Sequence, residues 1–295
     1  MADQARIQQL LDRLHGGFLI CDGAMGTTLN AGGHEPGRSL ELLNVEHPDL
    51  VQAVHRAYVD AGAEIIETNT FQGSRPALER HGLGERTREL NNAGARLARQ
   101  VAGDSVFVAG SIGPTGSILE PYGDYPEAAA RAAFAEQAEA LAEGGVDLLI
   151  VETFVAIEEV GAAIAAAAAT GLPVAASMSF DPSGRTAFGV TPEQAAEAME
   201  AAGACVVGAN CGTISSAETV EVIAKFRAAT SLPLIAQPNA GRPQRTESGT
   251  LYPETPEMMA ESAERFRDLG VAIIGGCCGS TAAHIRAIAH RLRET

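Results

Sequence analysis

The chain has 295 residues, 46% apolar but only 4% aromatic, so a large core must be filled by Ala, Val, Ile and Leu. Its formal net charge of −16 argues against nucleic acid as a partner, because phosphate binding needs clustered Lys and Arg. Five cysteines in this length do not read as a disulfide framework.

Met1 to Leu10 is polar and lacks the apolar stretch of a secretory signal. No run approaches the length of a membrane span, so a cytoplasmic location is expected. Residues Ala5 to Leu14 predict a short amphipathic helix, ended by Gly16-Gly17, so that 1–17 lead into a first strand. Eight short apolar runs follow, each closed by a polar cluster. Phe18-Leu19-Ile20-Cys21 leads to Asp22-Gly23-Ala24-Met25-Gly26-Thr27, and Ile65-Ile66 to Glu67-Thr68-Asn69. Val106 to Ala109 leads to Gly110-Ser111-Ile112-Gly113-Pro114-Thr115, and Leu148 to Val151 leads to Glu152-Thr153. Val174 to Ala176 leads to Ser177-Met178-Ser179, and Val206-Val207 to Asn210-Cys211. Leu234 to Ala236 leads to Gln237-Pro238-Asn239-Ala240-Gly241, and Val271 to Ile274 to Gly275-Gly276-Cys277-Cys278-Gly279.

Helical patterns separate these runs. One places Leu50, Val51, Val54, Ala57 and Tyr58 on a single face; another places Ala130, Ala133, Phe134, Ala138 and Leu141 together. The alanine-rich run from Ala162 to Ala169 predicts a helix packed tightly on a sheet. Glycines at Ala61-Gly62-Ala63, Glu143-Gly144-Gly145, Ala202-Gly203-Ala204 and Leu269-Gly270-Val271 predict helix ends. Strands buried on both faces and alternating with helices make a parallel sheet. Eight such units predict one α/β domain over 1–295, a (βα)8 TIM barrel. An open doubly wound sheet is weakened by the count of eight and by the lack of a Gly-x-Gly-x-x-Gly turn. In a barrel every polar cluster would gather at the mouth formed by the strand C-terminal ends.

Three cysteines stand at those ends. Cys211 closes the sixth run, and Cys277 and Cys278 follow the eighth, 66 residues further on. Adjacent residues in a regular strand point to opposite faces, so the flanking glycines are expected to free the backbone and let both sulfurs turn to one point. Three protein ligands with a fourth position open is the arrangement of a catalytic zinc, and all-sulfur ligation favours zinc over magnesium or calcium. The competing reading is three small buried residues without chemistry, which three thiols on one face make the weaker one. For Cys21 and Cys205, in or at the start of strands, that bland reading is preferred.

The carboxylates Asp22, Glu67 and Glu152 follow runs one, two and four. Buried acids at a barrel mouth need a partner, either loop amides, an arginine or a substrate ammonium. Backbone amides around Gly23, Ala24 and Gly26 suit an anion, so the mouth suits a zwitterion. No histidine base is expected at the mouth: His15, His55, His81, His284 and His290 lie in or beside helices, and His34 and His47 are expected at the surface. Lys225, the only lysine, falls on a helix away from the mouth, which disfavours Schiff-base chemistry. A phosphate site after runs seven and eight remains open on the glycines, but the thiols make it weaker.

These motifs, from Asp22-Gly23-Ala24-Met25-Gly26-Thr27 through Glu67-Thr68-Asn69-Thr70-Phe71, Gly113-Pro114-Thr115, Glu152-Thr153, Asn210-Cys211 and Pro238-Asn239-Ala240-Gly241 to Gly275-Gly276-Cys277-Cys278-Gly279, resemble the homocysteine S-methyltransferase family. Within it they are most like the homocysteine-binding domain of cobalamin-dependent methionine synthase. The resemblance implies Zn2+ on Cys211, Cys277 and Cys278, with the sulfur of L-homocysteine as the added ligand. It implies that Asp22 and Glu152 receive the amino group, with amides near Gly23 and Ala24 at the carboxylate. Glu67 is placed in the same substrate pocket, and Asn239 matches an asparagine that occupies the zinc while substrate is absent. The stretches at Gly113 and Pro238 favour that branch over the betaine-using and S-methylmethionine-using ones. The chain ends soon after the barrel, so the expected methyl donor is methylcobalamin carried by a separate corrinoid or folate-domain protein. A small-molecule donor, S-methylmethionine or betaine, is the alternative within enzymes. From another class, the vicinal pair could serve a redox or metal sensor, though such a protein has no need of carboxylates at the mouth.

Overall fold

The computed structural model describes residues 4–32, 37–247 and 249–293. The first three residues of the expected N-terminal segment, and His34, lie outside the described residues. The eight apolar runs form eight strands: β1 (Leu19–Ile20), β2 (Ile65–Glu67), β3 (Phe107–Ile112), β4 (Leu148–Phe154), β5 (Val174–Met178), β6 (Val206–Cys211), β7 (Leu234–Pro238) and β10 (Val271–Ile274). Two further strands, β8 (Gln244–Thr246) and β9 (Gly249–Leu251), form an exposed antiparallel hairpin after β7 that no apolar run announces. The parallel strands pair in the order β1-β10-β7-β6-β5-β4-β3-β2. The ring closes where the Asp22 amide donates to the Ile65 carbonyl at 3.0 Å and the Glu64 amide to that of Ile20 at 2.7 Å. This is the TIM barrel the alternation predicts, in one domain.

Side chains alternate across a strand, so the barrel interior reads as layers. Its lower layers are apolar: Leu19, Ile65, Phe107, Leu148, Ile150, Val206 and Ile235 pack in one cluster. The N-terminal helix Gln4–Gly16 joins that cluster through Leu10 and Leu14, both buried, and so stoppers the end of the barrel opposite the mouth. Two residues beyond the apolar layer, the same register turns polar. Glu67 follows Ile65, Ser111 follows Ala109, Glu152 follows Ile150, Ser177 follows Ala175 and Gln237 follows Ile235. That polar layer is the floor of the mouth.

On the outside, helices cover the sheet as expected, and Gly62, Gly145, Gly203 and Gly270 take φ of 104°, 92°, 108° and 74° just past helix ends. Ala130, Ala133, Phe134, Ala138 and Leu141 are all buried, as are Ala162, Ala163, Ala166 and Ala167. The face expected for helix Pro48–Asp60 needs correction. Its buried residues are Val51, Val54, His55 and Tyr58, whereas Leu50 is 47% exposed and Ala57 is exposed. At about 100° per residue the buried stripe centres between Val51 and Tyr58, leaving Leu50 and Ala57 at its margin and drawing His55 inside.

Candidate metal centre and active site

The three cysteines meet. Their sulfurs lie within 4.8 Å of one another at the mouth. Cys211 ends β6 with φ +55°, a left-handed conformation costly for a non-glycine residue, and Gly212 follows at +79°. The turn re-aims the thiol toward the segment after β10. There the glycines act differently from expectation. Gly275 and Gly276 keep the ladder going: their amides donate to the carbonyls of Ala236 at 3.1 Å and Asp22 at 3.0 Å, and the Cys277 amide to Pro238 at 2.8 Å. They are small because of close approach. A Cβ on Gly275 would lie 2.8 Å from the Asp22 carbonyl, and one on Gly276 2.6 Å from Ser280 Oγ. The left-handed residue of this segment is Gly279, at φ +80°.

Sulfurs around a tetrahedral zinc at ~2.3 Å stand roughly 3.8 Å apart, so the trio fits such an ion. Hydrogen bonds from Cys211 and Cys277 push the Cys278 thiol well below its usual range, while the same sharing pushes Cys277 up. One thiolate is thus readily held, and three together call for a cation. Asn239, 1% exposed, follows β7 where the next residue's amide, that of Ala240, donates to the Cys278 carbonyl at 3.0 Å. Its Nδ2 donates to the Gly212 carbonyl at 2.9 Å, and its buried Oδ1 has no hydrogen-bond partner.

The thiols form one side of a cavity of about 660 Å³. Gly23, Ala24 and the start of helix Met25–Ala31 line another wall, and Glu67, Ser111 and Glu152 line the floor. Glu152 Oε1 accepts from Ser111 Oγ at 2.6 Å, and its Oε2 from Asn210 Nδ2 at 3.1 Å. Glu67 Oε1 accepts from Gln237 Nε2 at 2.5 Å and from Cys21 Sγ at 3.6 Å. Asp22 lies deeper, 2% exposed, with Oδ2 accepting from the Glu67 amide at 3.0 Å and Oδ1 from Cys21 Sγ at 3.6 Å. The Ala24 amide is engaged by Ser280 Oγ at 3.1 Å. Neither Asp22 nor Asn239 is among the residues lining the cavity.

Among the described residues none of the three acids has an ion-pair partner. Burial first, and then their mutual repulsion, raise them: Asp22 to about 8, Glu67 to about 7, and Glu152 well above the carboxylate range. A floor of buried acids without a cation is suited to a ligand that brings one.

Some placements differ from expectation. His81, beyond helix Arg75–Glu79, reaches the cavity rim with Arg38, so the mouth does carry a histidine, though an exposed one. His47 is exposed, and His284 is held by Thr281 and the Glu254 carbonyl. Lys225 lies on helix Ser216–Ala229 and not on the cavity. Cys21 is buried in the apolar cluster of the barrel interior, as expected, and its thiol also touches Asp22, Glu67 and Gln237 of the floor above. Ser111, Ser177, Asn210 and Gln237 escaped the sequence reading as site residues. Counting by twos from the apolar layer would have found them.

The chain matches the homocysteine S-methyltransferase family over residues 19–292. The chain belongs to this family. It is 34% identical to methionine synthase of Mycobacterium tuberculosis over 95% of its own length, and spans 25% of that protein. It is 35% identical to betaine–homocysteine S-methyltransferase 1 of Bos taurus over 96% of its length, spanning 74% of that protein. Among solved structures, the homocysteine methyltransferase MmuM from Escherichia coli in its metallated form superposes with a TM-score of 0.80 at 27% identity, over 97% of this chain and 99% of that one. As a homocysteine S-methyltransferase family member, the chain thus stands at nearly equal identity from a relative named for methionine synthesis and from one named for betaine. Among the described residues no helix is long and apolar enough to cross a membrane.

Proposed function

We propose that the protein transfers a methyl group to the thiol of L-homocysteine, giving methionine, with Zn2+ held by Cys211, Cys277 and Cys278. The observation that carries this reading is the juxtaposition of three convergent thiols with cation-free acids on one cavity. An amino acid bearing a thiol satisfies both ends at once. Its ammonium meets the floor at Glu152 and Glu67, with Asp22 behind them, and its carboxylate takes amides near Gly23 and Ala24 on the adjoining wall, that of Ala24 being shared with Ser280 Oγ.

A free thiol with a pKa near ~8.5 is mostly protonated at neutral pH, and only the thiolate is a good nucleophile. Zinc held by the three cysteines would lower the pKa of the added thiol, whose proton would pass to solvent. The chain's own residues do the rest. The acid floor fixes one end of the acceptor, the cysteine side fixes the sulfur, and the side chain between them is thereby aimed. The sulfur lone pair then forms the new bond to the methyl carbon in line as the donor's bond to that carbon breaks, its electron pair leaving with the donor. No general base is required once the thiol proton is gone. Asn239, whose Nδ2 donates to the Gly212 carbonyl, would be the residue to hold the ion when no acceptor is present.

For the donor we infer methylcobalamin on a separate corrinoid protein, as the Gly113 and Pro238 stretches favour. The 35% identity to a betaine-named relative supports a small-molecule donor, betaine or S-methylmethionine, as the second reading. Methionine formation from homocysteine with each of the three donors, before and after a chelator, tests both. Turnover with methylcobalamin that is lost to the chelator supports the first reading, and turnover with only a small donor the second. No turnover with any donor, or activity indifferent to metal, overturns the proposal.

A further inference from the structure

One side chain touches both halves of the site. Asn210, 2% exposed, precedes Cys211 on β6 and points into the floor. Its Oδ1 accepts from the Thr153 amide at 2.8 Å and from Ser177 Oγ at 2.7 Å. Its Nδ2 donates to Thr153 Oγ1 at 2.7 Å and to Glu152 Oε2 at 3.1 Å, and lies 3.9 Å from Cys277 Sγ. Both its amide atoms are used, which fixes the orientation of the group. Thr153, the residue it grips from two sides, has φ +68°, so the amide also holds the kink that follows Glu152.

We propose that Asn210 is a positioning residue that sets the distance between the ammonium-binding carboxylate and the sulfur-binding thiols, and so selects the acceptor by chain length. The inference rests on the proposed function above. An aminothiol anchored at both ends must span a fixed gap, and homocysteine and cysteine differ in reach by one methylene. A rigid gap rejects the shorter acceptor because it cannot satisfy Glu152 and the metal centre together. A loosened gap lets Glu152 swing and blurs the distinction. Once the acceptor's ammonium keeps Glu152 ionised, the Nδ2 contact to it is charge-assisted and holds geometry more firmly than the neutral ones, which makes it the decisive one.

Asn210→Asp tests this. The substitution keeps an acceptor for the Thr153 amide and the Ser177 hydroxyl but replaces the donor to Glu152 with a repelling oxygen. Methyl transfer to homocysteine and to cysteine is measured with the donor that works for the natural chain, alongside zinc content and thermal melting. The expected result is retained zinc, a KM for homocysteine raised about tenfold with a smaller change in kcat, and a narrowed homocysteine-to-cysteine ratio of kcat/KM. Ser177→Ala, which removes only one support of the same amide, should narrow the ratio in the same direction and serves if Asn210→Asp does not fold. An unchanged ratio in a folded, zinc-loaded variant overturns the inference. If the natural chain methylates neither acceptor, the proposed function fails instead, and the two failures are told apart.

Discussion

Gln237 Nε2 donates to Glu67 Oε1 at 2.5 Å, joining β7 to β2 across the floor of the mouth. With the longer contact from the Cys21 thiol, it is a neutral donor on an acid that otherwise faces two more acids, Asp22 and Glu152. It offsets part of their repulsion and leaves the remainder for a ligand cation.

That remainder makes a pH prediction. Burial raises Asp22 to about 8 and Glu67 to about 7, from ordinary values of 3.8 and 4.5. Between roughly pH 4 and pH 8 these acids therefore bind more protons in the folded, ligand-free protein than in the unfolded chain, and their contribution to stability falls as pH rises through that window, while buried His55, lowered to about 4, acts in the opposite sense below pH 6.5. The stabilisation is complete below the unfolded values and is lost as pH passes the folded ones. Melting temperature of the ligand-free protein should decline from about pH 6.5 to 8, above the range in which His55 opposes the acids, and saturating homocysteine should flatten the decline by supplying the missing positive charge. A ligand-free melting temperature that rises over this range would count against the acid floor as described.

Glu152→Gln keeps the shape and the Asn210 and Ser111 neighbours but removes the charge. Losing a charge-assisted contact to the substrate ammonium costs about 1.5–3 kcal/mol, or on the order of ten- to a hundredfold in apparent affinity. The loss should appear in KM for homocysteine, with zinc content intact. An unchanged KM would remove Glu152 from the ammonium site.

The barrel was legible because eight apolar runs alternate with helices, and nothing in the tertiary structure competes with that period. The cysteine trio was legible for a similar reason, since strand ends must gather at one mouth. The floor was not read as a unit. Ser111, Asn210 and Gln237 look like unremarkable polar residues until the two-residue register places each above a buried Ile, Ala or Gly. The role of Gly275 and Gly276 was misread because a sequence shows that a glycine is present, not what its missing Cβ would strike. His81 was missed because its place at the rim depends on the turn after a five-residue helix. The β8–β9 hairpin has no apolar face, so its pattern resembles any exposed loop.

Serine in place of Cys277 or Cys278 should abolish zinc binding and methyl transfer together. A hydroxyl is a harder and far less acidic ligand than a thiol, so the remaining two sulfurs leave the ion poorly held. Metal analysis of the purified variants checks the first effect, and methionine formation the second. Full zinc content with full turnover in either variant would contradict the assignment of these thiols to the metal.

Leu10 tests a part of the fold far from the chemistry. It is fully buried where helix Gln4–Gly16 closes the lower end of the barrel against Leu19, Ile65 and their neighbours. Leu10→Ala removes that plug and leaves a cavity whose collapse is resisted by the surrounding strands, at a cost of about 2–5 kcal/mol. Denaturant titration should show a lower midpoint of this size. The mouth lies at the opposite ends of the same strands, so zinc content and KM at low temperature should stay those of the natural chain. A Leu10→Ala midpoint within about 0.5 kcal/mol of the natural chain would mean the helix lies loosely on the barrel rather than stoppering it.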